Sequence, residues 1–236
     1  MENKVKTLVL VEGAKTDVNL MKKLFDIYHI SDNHEIISYN TNIYTLYKEM
    51  FENKDPSTID LLQLLKEKEF DTDKRKILDV NYSDIILIFD FDPQDNLFTS
   101  NKIVEMLEYF KESSDMGKLY INYPMVESFY HMKSIPDFEF FDYVVKSEEL
   151  TNYKSIVNKI CRDGDYRKFA RTKDEVDIVI KDNLKKSKKI INNSCYNDIT
   201  LLKKQCEKLA NKYEIYVICT CHFYILDYNP KLVSLY

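Results

Sequence analysis

Three apolar runs in this sequence end on acids. TLVLV (residues 7–11) runs into Glu12, DIILIF (84–89) runs into Asp90 and Asp92 of FDFDPQD, and LYINYP (119–124) is followed by Glu127 in YPMVES. Within FDFD the two aspartates point to the same side as long as the backbone stays extended, because strand side chains alternate with period two. Carboxylates held side by side repel unless a cation or a proton lies between them. Hard oxygen donors in twos and threes, with no histidine among them, suit Mg²⁺ or Mn²⁺ rather than zinc. Asp95 and Asp17 lie close by in sequence as further candidates. Each single acid also has a plainer role: Asp95 with Asn96 suits a turn, and Asp17 suits the first turn of a helix. Three acidic ends on one sheet edge favour a shared site over three separate turns.

The runs that carry these acids read as strands of an open, mostly parallel α/β sheet flanked by helices. Val5 to Val11 is short, β-branched and apolar at nearly every position, as a strand buried on both faces must be. Gly13 follows Glu12 in a chain with only three glycines and supplies the freedom for a sharp turn. Val18, Met21, Phe25 and Tyr28 then recur at helical spacing, with Thr16 as the expected N-cap. Expected next are a strand over Glu35–Tyr39 and helices over Ile43–Phe51 and Ile59–Lys66. The strand over Asp84–Phe89, a helix over Asn101–Phe110 and a strand over Leu119–Asn122 follow. In such a sheet, ligands bind outside the carboxyl ends of the strands.

From about Ser147 the composition shifts to Lys-rich helical segments, near 147–162, 172–190 and 198–212. The expected division is an α/β domain over 1–135 and a mainly helical extension over 136–236, whose last segment, 213–236, can rejoin the sheet. Lys185, Lys186, Lys188 and Lys189 of KKSKK are the candidates for phosphate contact, although a Lys run is more often a solvated helix face.

With 236 residues, 44% hydrophobic and 31% charged, the chain can bury a sizeable core. No apolar segment approaches the roughly 20 residues that span a bilayer, so no membrane association and a cytoplasmic location are expected. The formal charge of −5 argues against a general nucleic-acid binder but leaves room for an enzyme that brings cations to its own carboxylates. Five cysteines, odd in number and without a CxxC, argue against a disulfide framework and a zinc knuckle. P-loop and dinucleotide fingerprints are absent.

Taken in order, VEG at the end of the first strand, DFD at the end of a later one and an acid beyond the next resemble the Toprim domain. This is the metal-binding α/β module of topoisomerases, DnaG-type primases and OLD-family nucleases. The resemblance covers residues 1 to about 135, and YPMVESFYH resembles the segment after the later core strand in OLD-like phage-defence proteins. It implies a metal-dependent nuclease acting on DNA or RNA, with Glu12 as general acid/base or metal ligand, Asp90 and Asp92 as the metal pair and Glu127 as a further ligand. It also implies anti-phage defence and a separate ATPase subunit, since this chain has no Walker motif; a homo-oligomer is compatible with it. Asp17 stands five residues after Glu12, where the family often places its acid four residues on. Two other classes compete: a haloacid dehalogenase-type phosphatase with Asp90 as nucleophile and Asp92 as acid, and a non-catalytic scaffold or sensor.

Overall fold

The computed structural model describes residues 6–114 and 116–234. Val5, the expected first strand residue, lies outside them. The chain divides into two compact units, Met1–Phe89 with Glu105–Tyr120, and Asp90–Val104 with Ile121–Tyr236. The fold is α/β, with a four-stranded parallel sheet in the order β2-β1-β3-β4.

In the first unit β1 (Thr7–Val11) pairs in parallel with β2 (His34–Ser38) on one side and β3 (Asp84–Asp90) on the other. Being central, β1 is buried at all five residues, and Ile85–Phe89 of β3 are fully buried too. Continuous apolar runs are therefore required of both. Helix α1 (Thr16–Ile27) buries Leu20, Met21, Leu24 and Phe25, the three-and-four spacing of one helix face. Lys15, not Thr16, occupies its N-cap position, and no side chain caps it. Helix α2 (Ile43–Met50) is capped by Asn42, which accepts from the Thr45 N–H at 3.0 Å. Asp60 caps α3 (Leu61–Lys68) and Asp71 caps α4 (Thr72–Leu78). Each such cap contributes about 1 kcal/mol. Asp60 explains why the helix expected from Ile59 begins two residues later. Helix α4 was not expected: it buries only Leu78 and leaves almost no periodic signal. Helix α5 (Ser100–Tyr109) follows, and β4 (Lys118–Asn122) borders β3 in the sheet.

The second unit holds a two-stranded antiparallel sheet of β5 (Val144–Lys146) and β6 (Glu214–Tyr216), with α6 (Tyr153–Ile160), α7 (Lys173–Ile191), α8 (Asp198–Lys212) and α9 (Phe223–Tyr228). The helix expected over 147–162 is instead a 3-10 turn, Ser147–Asn152, followed by the shorter α6. The final segment does not add a strand to the parallel sheet. It pairs as β6 with β5 and makes one bridge, Tyr123 to Ile218. Asn122, the last residue of β4, accepts hydrogen bonds from the Thr220 and Cys221 N–H groups at 3.1 and 3.2 Å, within the second unit. None of the five cysteines is in a disulfide, and Cys161, Cys219 and Cys221 are buried. Among the described residues no helix is long and apolar enough to cross a membrane.

Candidate functional site

The first unit presents Glu12, Gly13 and Asp17. Glu12 continues the ladder one residue past β1: its N–H donates to the Ile88 carbonyl at 3.1 Å, and its carbonyl accepts from the Asn40 N–H at 3.0 Å. The backbone under this half-exposed glutamate is thus held from both neighbouring strands. Asp17, in the first turn of α1, is buried at 5% exposure. A Cβ on Gly13 would lie 2.5 Å from the Asp17 Oδ2. Gly13 is therefore needed for the closeness of the Asp17 carboxylate, not for the backbone freedom that its position after a strand suggests. Gly13→Ala is expected to displace Asp17 and lower stability by about 1–3 kcal/mol, an overpacking cost readable by urea unfolding. Gly13→Ala with Asp17→Ala should recover most of it, because the obstacle is then gone.

The second unit presents Asp90, Asp92, Asp95 and Glu127. Asp90 ends β3 and is buried. Its Oδ1 accepts the Val126 N–H at 2.8 Å, so the strand end grips the turn that carries Glu127. The expectation that Asp90 and Asp92 share one side of an extended backbone does not hold. The Phe91 N–H turns to the carbonyls of Asn122 and Pro124, and Asp92 adopts a φ of 37°. Asp92 accepts from Gln94 Nε2 at 3.0 Å. Burial pushes its carboxyl above the usual range; the Gln94 hydrogen bond and Lys154 pull it down, while Asp95 and Glu127 add to the rise. Asp95 serves as a turn former, its Oδ1 accepting the Leu97 N–H at 2.7 Å.

Glu127 is 1% exposed, in a 3-10 turn over Val126–Tyr130. Its Oε1 lies 3.3 Å from the Lys154 Nζ, while Oε2 is buried and, among the described residues, accepts no hydrogen bond. A carboxylate oxygen so placed is costly unless something positive or a donor meets it. Around it stand Tyr130, Tyr153 and Tyr166, each of which feels the Glu127 charge. Tyr130 lies within YPMVESFYH, whereas Lys154, Tyr153 and Tyr166 belong to segments without a catalytic motif and are singled out by neither composition nor spacing.

Of the KKSKK lysines, Lys186 is wrongly placed for phosphate. It is fully buried, and its Nζ donates to the carbonyls of Phe140 and Tyr143 at 2.8 and 2.7 Å. Burial, first of all, holds its amine well below the usual lysine range. Lys185 and Lys189 are exposed and Lys188 is half-exposed, with Lys189 3.8 Å from Asp142.

Among the described residues no three His, Cys, Asp or Glu side chains gather to hold one metal ion as they stand. The donor chemistry still fits a hard cation. Mg²⁺ keeps several waters and takes one or two carboxylates, with substrate phosphate oxygens completing its shell. The unsatisfied Glu127 oxygen, in electrostatic reach of Asp92, is where such an ion would offset repulsion. No family model, curated protein or solved structure matches the chain.

Proposed function

We propose that the chain is a metal-dependent phosphodiester hydrolase acting on DNA or RNA, similar in type to Toprim nucleases of the OLD family. The observation that carries this reading is the buried Glu127 carboxylate, with one oxygen that accepts no hydrogen bond from the described residues and Asp92 and Lys154 as charged neighbours. Bound Mg²⁺ or Mn²⁺ supplies a Lewis acid and lowers the pKa of a bound water. Asp92 and Glu127 would be its oxygen donors. Asp90 positions Glu127 by holding the Val126 N–H. Lys154, whose side chain is 68% exposed, meets the non-bridging phosphate oxygens and neutralises charge that grows there. The part of Glu12, as acid/base or further ligand, rests on the VEG resemblance. Phage defence is the setting that the same resemblance implies.

The test is incubation with plasmid DNA, structured RNA and p-nitrophenyl phosphate, in Mg²⁺, Mn²⁺ or chelator, beside Glu12→Ala and Asp92→Asn. Metal-dependent cleavage of nucleic acid, lost in Asp92→Asn, supports the reading, and loss in Glu12→Ala extends the site to that residue. Hydrolysis of the ester alone marks a phosphatase instead. Cleavage untouched by either substitution overturns the assignment.

A further inference from the structure

Beside Glu127 lies an aromatic surface that the hydrolytic chemistry does not use. The Tyr166 ring stacks on Tyr130 with centroids 4.4 Å apart and planes 9° from parallel. Tyr130 is itself buried and packs edge-on against Phe129 and Phe169 at 5.1 and 5.7 Å. The Tyr166 hydroxyl donates to the Lys154 carbonyl at 3.0 Å. Backed by the Tyr130 ring and pinned at its hydroxyl, Tyr166 is a fixed, partly exposed plate. A solvent-facing tyrosine held this firmly has little freedom left to lose when a flat group stacks on it.

Cations outnumber acids in the segment that carries the plate. Residues 162–171 carry Arg162, Arg167, Lys168 and Arg171 against Asp163 and Asp165, in a chain whose overall charge is −5. Arg162 is held by Glu175 and Arg167 by Asp165, while Lys168 and Arg171 are exposed. Lys154, whose carbonyl anchors the plate, carries its amine 3.3 Å from Glu127. A flat aromatic face flanked by cations suits a polyanion with flat rings along it.

We infer that Tyr166 is a stacking platform for one unpaired base of a single-stranded nucleic acid, with Lys154, Lys168 and Arg171 meeting the adjoining phosphates. A base inside a duplex has both faces covered by its neighbours and cannot lie on the ring, so the platform selects single strands, flaps or frayed ends. This deepens the hydrolase reading and rests on it for the meaning of the neighbouring acids, but the platform itself needs no metal.

The experiment is fluorescence anisotropy in chelator with a labelled 15-mer oligothymidylate and, separately, a labelled 15-base-pair duplex. Chelator separates the two ideas: strand binding without cleavage in later assays would sink only the hydrolase, and cleavage without strand preference would sink only the platform. The wild type should bind the single strand more tightly than the duplex. Tyr166→Ala should weaken single-strand binding about tenfold or more, as loss of one stacked base does, and leave the duplex unchanged. Tyr166→Phe, which keeps the ring and drops only the hydroxyl, should stay within about threefold of wild type. Lys168→Ala with Arg171→Ala should flatten the salt dependence by up to two phosphate contacts. Equal affinity for strand and duplex, or a Tyr166→Ala variant that binds as well as wild type, would overturn the platform. So would a Tyr166→Phe variant as weak as Tyr166→Ala, because that would mark the hydroxyl bond and not the ring face as the need.

Discussion

Glu127→Gln should lower Mg²⁺-dependent cleavage by about a hundredfold or more while leaving the metal-free protein as stable as wild type, or slightly more so. The two effects have opposite causes. Glutamine keeps the shape of the side chain and one carbonyl oxygen but removes the negative charge that a cation needs, and losing one preorganised electrostatic group typically costs about 10²–10³ in rate. In the absence of metal, the same charge is a liability. Among the described residues its buried Oε2 has no hydrogen-bond partner, and the cation that Oε1 meets, Lys154, is 68% exposed. An ion pair that reaches so far into water contributes about 0–1 kcal/mol and cannot offset the burial of a carboxylate. A residue kept for stability would behave in reverse: Glu127→Gln would lower the unfolding midpoint and leave turnover unchanged. Side-by-side urea unfolding in chelator and cleavage in Mg²⁺ separate these outcomes on one preparation. Sites that hold charge against stability in this way are common where function is the return.

Acid should weaken the second unit through His131. This histidine is buried, its Nδ1 lies 2.9 Å from the Tyr153 hydroxyl, and its ring packs against Tyr143 and Tyr153. Burial, with Lys186 and Lys133 adding to it against Asp137, lowers its pKa to about 4. In the unfolded chain a histidine titrates near 6.5. Between those values the unfolded chain binds the extra proton and the folded one does not. The stabilisation is therefore complete above about pH 6.5 and is lost as pH falls through 4. The loss by pH 4 amounts to about 3 kcal/mol. His131→Gln keeps a polar partner for Tyr153 and cannot titrate. From pH 7 to pH 4 the wild type should lose about 3 kcal/mol more unfolding free energy than this variant. Parallel pH curves for the two proteins would show that the histidine is not held neutral.

The parts of the fold that were legible in the sequence are those where burial on both sides forces a continuous pattern. TLVLV and DIILIF could hardly be anything but central strands, and they pair with each other. The edge strand β2, with Glu35 and Ile36 only half-buried, shifted by one residue from its expected place. Lys186 shows a different limit. Its charge grouped it with Lys185, Lys188 and Lys189, yet Val176, Val179, Ile180, Asn183 and Ser187 mark the buried face of α7, and Lys186 falls on that face. Helical period, weighed above charge, would have found it. Asp92 was misjudged because strand alternation was carried past the last strand residue, where Asn122 and Pro124 bend the backbone. The turns from Val126 to Asp142 have no period of their own and are set by contacts distant in sequence, such as Asp90 to Val126 and Lys186 to Phe140. That is why Lys154 and Tyr166 became visible only in three dimensions, while Asp90, Asp92 and Glu127 could be chosen from strand ends.

The most direct measurement of the central claim is thermal unfolding of the wild type and of an Asp92→Asn, Glu127→Gln double variant over a titration of Mn²⁺, with Ca²⁺ as a second ion. It needs neither the right substrate nor a partner chain. A cation that binds only the folded form must raise the midpoint in proportion to the logarithm of its concentration above Kd. A metal site at Asp92 and Glu127 requires such a rise with Mn²⁺ for the wild type and none for the double variant, whose metal-free midpoint should equal or exceed that of the wild type. A wild-type midpoint that ignores Mn²⁺, or an equal rise in both proteins, would contradict it.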